Sequence, residues 1–158
     1  MDRPSGGWFK LNFDGSKLSD GKASFGFVIR NHEGDVQLSG SMPLSGGCSI
    51  LTSEAWGLRE GLRAAKFLGI SSLAIERDNL VVINSIRQCW KIPWEISSLI
   101  KDSAAEIQKF HVVSIDHCFR EANQPAILWP IMGMSFLRLC IVFLLLTLSF
   151  LPSSVRML

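Results

Sequence analysis

The chain has 158 residues, 47% of them hydrophobic, and a formal net charge of +2 at pH 7. That length fits one domain with little room for a second, and the apolar content excludes a disordered chain. The charge balance excludes a strongly basic nucleic-acid arm, and four cysteines without paired spacing (Cys48, Cys89, Cys118, Cys140) exclude a disulfide framework or a zinc site.

Residues 1–7 read as a short N-terminal extension without the apolar stretch of a secretory signal, so an intracellular setting with reduced thiols is expected. Trp8 to Asp14 then alternates, with Phe9, Leu11 and Phe13 on one face, and predicts a strand closed by Asp14-Gly15-Ser16. Lys17 to Ser24 reads as a loop. Phe25 to Arg30 and Val36 to Met42 read as two strands of a hairpin, joined by the turn residues Asn31 to Asp35. From Ile50 the period changes. Leu51, Ala55, Leu58, Leu62 and Ala65 form one stripe of an amphipathic helix, with Ser49 suited to cap its start and Gly69 to end it. Ser72 to Asp78 predicts a fourth strand and Asn79 to Cys89 a second helix. Pro93 breaks that helix, a third runs from Trp94 to Lys109, and His111 to Phe119 predicts a fifth strand. The order describes an α/β layered domain: an antiparallel meander of three strands, then a crossover helix and a parallel strand.

Residues 1–125 hold all 14 acids and 14 of the 16 basic residues; residues 126–158 hold no acid and only Arg138 and Arg156. The tail is a different kind of sequence. Within the first part, three acids fall at chosen places: Asp14 at the end of the first strand, Glu54 in the first full turn of the long helix, and Asp78 at the end of the fourth strand. If the first and fourth strands are neighbours, Asp14 and Asp78 converge at adjacent strand ends and the helix presents Glu54 above them. Three converging carboxylates repel one another unless a cation neutralises them, and hard oxygen ligands suit Mg²⁺ or Mn²⁺. Each acid also has a plain structural reading, as turn former, helix-dipole partner and N-cap, and spacing alone leaves both open.

Five blocks add a resemblance: Phe9-Lys-Leu-Asn-Phe-Asp-Gly-Ser16, Phe25-Gly-Phe-Val-Ile-Arg-Asn-His-Glu-Gly34, Ser53-Glu-Ala-Trp-Gly-Leu-Arg-Glu-Gly-Leu62, Leu73-Ala-Ile-Glu-Arg-Asp-Asn79 and His117-Cys-Phe-Arg-Glu-Ala-Asn123. In this order they resemble the type-1 ribonuclease H domain, and more closely the reverse-transcriptase-like ribonuclease H proteins of plants and retroelements. The resemblance covers about residues 8–126. It implies a ribonuclease-H-like mixed five-stranded sheet flanked by helices, with two divalent cations (Mg²⁺ or Mn²⁺) and hydrolysis of the RNA strand of RNA–DNA hybrids. It further implies that Asp14, Glu54 and Asp78 are catalytic metal ligands. Gly15, Ser16 and Asn79 are candidate nucleic-acid contacts beside them. Arg77 and Asn79 depart from the small hydroxyl residues that commonly flank the family's third acid.

The family's fourth acid follows an Asn-x-x-Ala pattern. Asn123-Gln-Pro-Ala126 fits, and then Ile127 stands where the Asp belongs. An apolar side chain ligates nothing, so a weakened second cation site and impaired hydrolysis are expected. A one-base shift of one permitted coding of residues 127–135 restores Asp-Ser-Leu-Ala-Asn-His-Gly-His-Glu, which resembles the family's closing helix; a frame change is one reading of residues 127–158. Taken literally, Ile131 to Leu151 carries one charge, Arg138, over 21 residues, the length of a membrane-spanning helix. The rival readings are therefore a degenerate, non-catalytic hybrid-binding remnant of a retroelement and a membrane-anchored form of the domain. A monomer is expected. Of the five tryptophans (Trp8, Trp56, Trp90, Trp94, Trp129), any could stack on bases or pack in the core. Arg59, Arg63 and Lys66 could touch phosphate or form a solvated helix face.

Overall fold

The computed structural model describes residues 6–117. Its elements are β1 (Phe9–Lys17), β2 (Ala23–Arg30), β3 (Val36–Leu44), α1 (Ile50–Phe67), β4 (Ser72–Arg77), α2 (Leu80–Ile86), a 3-10 turn (Trp94–Ile96), α3 (Ser97–Ile107) and β5 (Val112–His117). The expected hydrophobic C-terminal helix, the missing fourth acid at Ile127 and the candidate span at 131–151 lie outside the described residues. No helix among the described residues is long and apolar enough to cross a membrane.

The five strands form one mixed sheet in the order β3-β2-β1-β4-β5. β1–β2 and β2–β3 are antiparallel, while β1–β4 and β4–β5 are parallel. The central position of β1 makes it a neighbour of β4, as the convergence of Asp14 and Asp78 requires. β1 runs three residues past its expected end: Gly15, Ser16 and Lys17 pair with Phe25, Ser24 and Ala23. Cross-strand hydrogen bonding overrides the turn chemistry of Asp-Gly-Ser, and the loop shrinks to a short reversal around Gly21, whose φ of +87° suits glycine.

α1 keeps the predicted stripe: Ala55, Leu58, Leu62 and Ala65 are wholly buried. Ser49 caps it, its side chain accepting from the Thr52 amide at 3.0 Å. Two glycines on the same helix let it lie close on the sheet. A Cβ on Gly57 would stand 3.2 Å from the Gly26 carbonyl oxygen, and one on Gly61 2.6 Å from a Leu11 methyl. The core beneath comprises Leu11, Phe13, Phe25, Phe27, Leu73 and Ile75, all at most 2% exposed.

α2 is shorter than its periodicity predicts. Arg87 closes it, and Gln88 takes the left-handed position at φ 59°, turning the chain before Cys89. The third helix also starts later, because Pro93 imposes a 3-10 turn before the α-helical pattern begins at Ser97.

Candidate functional site

Strand alternation builds one wall of the site. In β4, Leu73, Ile75 and Arg77 are buried in alternation and share a face. The guanidinium of Arg77 is therefore carried onto the side occupied by α1, where Glu54 stands. β1 delivers Asp14 at the neighbouring strand end, and Asp78 follows directly after β4.

Gly15 sets how close these parts come. A Cβ there would lie 2.4 Å from Ser53 Oγ and 2.6 Å from the Glu54 backbone nitrogen. The absence of a side chain lets the first turn of α1 rest on β1 and brings Glu54 beside Asp14. Gly15, a candidate nucleic-acid contact, thus has a packing role as well. Ser16 likewise points to a protein partner, its hydroxyl 2.7 Å from that of Ser24.

The three acids come together as expected, but around a protein cation. Nη2 of Arg77 donates to Oδ1 of Asp14 and to Oε1 of Glu54, and Nη1 forms an ion pair with Oδ1 of Asp78. Arg77 is 4% exposed, Glu54 3% and Asp14 8%. Its guanidinium carbon also lies 6.0 Å from the centre of the Phe13 ring. Asn79 has two structural tasks. Its Oδ1 caps α2 by accepting from the Val81 amide at 2.8 Å, and its Nδ2 donates to Oε2 of Glu54. Burial pushes the Glu54 carboxyl above the ordinary value, with the Asp14 charge adding to the rise and Arg77 and Asn79 opposing it. On the far side, His117 Nε2 lies 3.0 Å from the Asp78 carbonyl oxygen, tying the end of β5 to the same corner.

The expected convergence of Asp14, Glu54 and Asp78 is present, with a protein cation at its centre. The acids are assembled, but the guanidinium stands among them, and among the described residues no group of three or more His, Cys, Asp or Glu side chains is arranged to hold a metal ion. One oxygen of each acid is directed to Arg77 and the second oxygen of Glu54 to Asn79, so this arrangement does not fit a metal pair as it stands.

The remaining candidates divide. Trp56 stacks on Phe25, with ring centres 6.4 Å apart, and Arg59 lies over its face, so this residue belongs to the packing. Arg59 pairs with Asp102 and Glu60, Arg63 with Glu60, and Lys66 donates to the Lys109 carbonyl. Trp94, 91% exposed, and Trp90, 52% exposed, leave their faces open. Sequence reasoning missed Arg77 as the hub of the cluster. The signal was present: Arg77 falls in phase with Leu73 and Ile75, so its side chain had to enter the α1 face.

The reverse transcriptase-like family matches residues 12–129. The chain belongs to that family. Its described part is a ribonuclease-H-like domain. A curated Arabidopsis thaliana relative, "Putative ribonuclease H protein", is 33% identical over 125 residues, covering 78% of this chain and 20% of its own length. The chain thus spans about a fifth of that relative. RNase H1 from the halophilic archaeon Halobacterium salinarum shares the fold with a TM-score of 0.69 and 21% identity, over 74% of this chain and 89% of its own. The N-terminal RNase H domain of a Mycobacterium tuberculosis protein matches with a TM-score of 0.71 and 22% identity, over 75% and 87%. LC11-RNase H1 in complex with RNA/DNA hybrid matches with a TM-score of 0.67 and 17% identity, over 75% and 90%.

Proposed function

We propose that this ribonuclease-H-like domain binds RNA–DNA hybrids and that its hydrolysis of the RNA strand is impaired. The observation that carries the reading is the meeting of Asp14, Glu54 and Asp78, from three separate segments, at one corner of the sheet. Such an arrangement of acids is costly in a buried corner, and a purely structural domain has no need to assemble it. The family and the hybrid-bound neighbour supply the substrate class. Impairment follows from two departures: Arg77 among the acids and Ile127 where the family's fourth acid belongs.

Recognition in this reading rests on duplex shape and the 2′-hydroxyls of the RNA strand. With no net charge over residues 1–125, nonspecific phosphate attraction is modest, and the affinity is salt-sensitive. The role of the chain's own residues is to hold this corner rigid: Gly15 seats α1, Asn79 anchors both α2 and Glu54, and Arg77 offsets part of the acids' charge.

Fluorescence anisotropy with a labelled hybrid, a DNA duplex and an RNA duplex of one sequence tests binding. Hybrid preference is expected, and equal affinity for all three refutes it. Gel analysis of the hybrid in MgCl₂ tests the impairment. Slow or absent cleavage is expected, and turnover at the typical enzyme rate of about 10 s⁻¹ refutes it.

A further inference from the structure

We propose that Arg77 is a built-in cation that takes the place of divalent metal in the carboxylate cluster, so that the domain folds and engages nucleic acid without metal. The nucleic-acid half rests on the hybrid-binding reading above; the cation half stands on the geometry alone.

Three carboxylates brought to one corner need positive charge. Arg77 supplies it from within the chain, with Nη2 shared between Asp14 and Glu54 and Nη1 on Asp78. A guanidinium suits this task because its planar fork presents several donors in fixed directions and stays charged at every physiological pH. The strand period fixes it there. A swing away from the acids would have to pass the buried face that Arg77 shares with Leu73 and Ile75, beside Phe13 and beneath α1. Asn79 takes the second oxygen of Glu54, which leaves that carboxylate engaged on both oxygens. An incoming ion would therefore have to displace a side chain that is already covalently attached, buried and paired. The resemblance places small hydroxyl residues at the positions of Arg77 and Asn79, and both replacements here are nitrogen donors directed at the acids.

The test uses the full chain at matched ionic strength, with Mn²⁺ uptake followed by the electron paramagnetic resonance signal of the free ion and stability followed by thermal unfolding. The wild-type chain is expected to take up no Mn²⁺ in the micromolar range and to unfold within about 1 °C of its metal-free temperature in about 10 mM MgCl₂. R77S is expected to unfold about 8 °C or more below wild type in EDTA, to bind Mn²⁺ at least about tenfold more tightly, and to recover part of the loss on adding it. R77K, with the charge but without the fork, falls between the two. Micromolar Mn²⁺ uptake by the wild-type chain, or equal uptake by wild type and R77S, overturns the proposal.

If R77S does not fold, the wild-type titration still decides, and D78N accompanies it. Loss of one Arg77 partner lowers the unfolding temperature equally in EDTA and in MgCl₂; a loss confined to MgCl₂ overturns the proposal. Hybrid anisotropy in EDTA separates the two readings. Binding equal within about twofold with and without MgCl₂ is the expected result. Binding only in MgCl₂ overturns the built-in cation and leaves hybrid recognition standing. No binding in either buffer, with Mn²⁺ uptake absent, overturns hybrid recognition and leaves Arg77 as the cation of the cluster.

Discussion

Replacing Gly15 by alanine tests how tightly the corner is seated. The new Cβ would stand 2.6 Å from the Glu54 backbone nitrogen and 2.4 Å from Ser53 Oγ. An ordinary contact begins near 3.4 Å, so the backbone of α1 has to retreat by about 0.8 Å. Ser53 cannot simply turn aside, because its hydroxyl donates to the Ile50 carbonyl at 2.7 Å and that bond contributes about 1 kcal/mol. Overpacking of this kind costs about 1–3 kcal/mol, and the backbone contact places Gly15→Ala in the upper half. Alanine also stiffens the unfolded chain, which returns about 0.5 kcal/mol. The net loss is about 2 kcal/mol, read in urea unfolding as a lower midpoint with an unchanged slope, and in heating as a fall of about 7 °C. Gly6→Ala, where nothing lies within 4 Å, is the control and stays within about 0.5 kcal/mol of wild type. A Gly15→Ala chain as stable as that control refutes the close seating of α1 on β1.

Three further changes probe separate parts of the structure. Gln88→Gly relieves a left-handed residue at the end of α2 and raises stability by about 0.5–1 kcal/mol in urea unfolding; a loss would show that the Gln88 side chain matters more than its backbone. Asn79→Ala removes the cap of α2 and a donor to buried Glu54, costing about 2 kcal/mol and speeding hydrogen exchange at Val81 and Val82. Asn79→Asp keeps the cap yet still destabilises, because it sets another negative charge beside Glu54; equal stability of this variant and wild type would contradict the crowding of acids. Burial holds the Glu60 carboxyl above its ordinary value of 4.5 despite Arg63 and Arg59. A raised value means that the stability from its protonated form is present below pH 4.5 and is lost as pH rises through the folded value. Glu60→Gln does not titrate, so its unfolding temperature relative to wild type climbs between acid and neutral pH; a constant difference would refute the assignment.

Much of this protein was legible without coordinates because it depends on local periodicity. The alternation of Phe9, Leu11 and Phe13 placed β1, and the stripe through Ala55, Leu58, Leu62 and Ala65 placed α1. Where neighbours in space compete with local signals, the sequence misleads. Asp-Gly-Ser has turn chemistry but is drawn into a ladder with β2, and the second helix ends early where Gln88 adopts a glycine's backbone. Gly57 and Gly61 look like helix-weakening residues in one dimension; only the sheet beneath shows that they admit close packing.

The sequence by itself determined the family, the layered α/β scheme and the three acids Asp14, Glu54 and Asp78, since motifs and hydrophobic period are properties of the linear chain. Only the tertiary structure decided what those acids face. Arg77 lies 63 positions from Asp14 and 23 from Glu54, and no local rule joins residues so far apart. The parallel pairing of β1 with β4 and the seating of α1 on Gly15 bring them within reach, and at that distance opposite charges in a buried corner pair with one another.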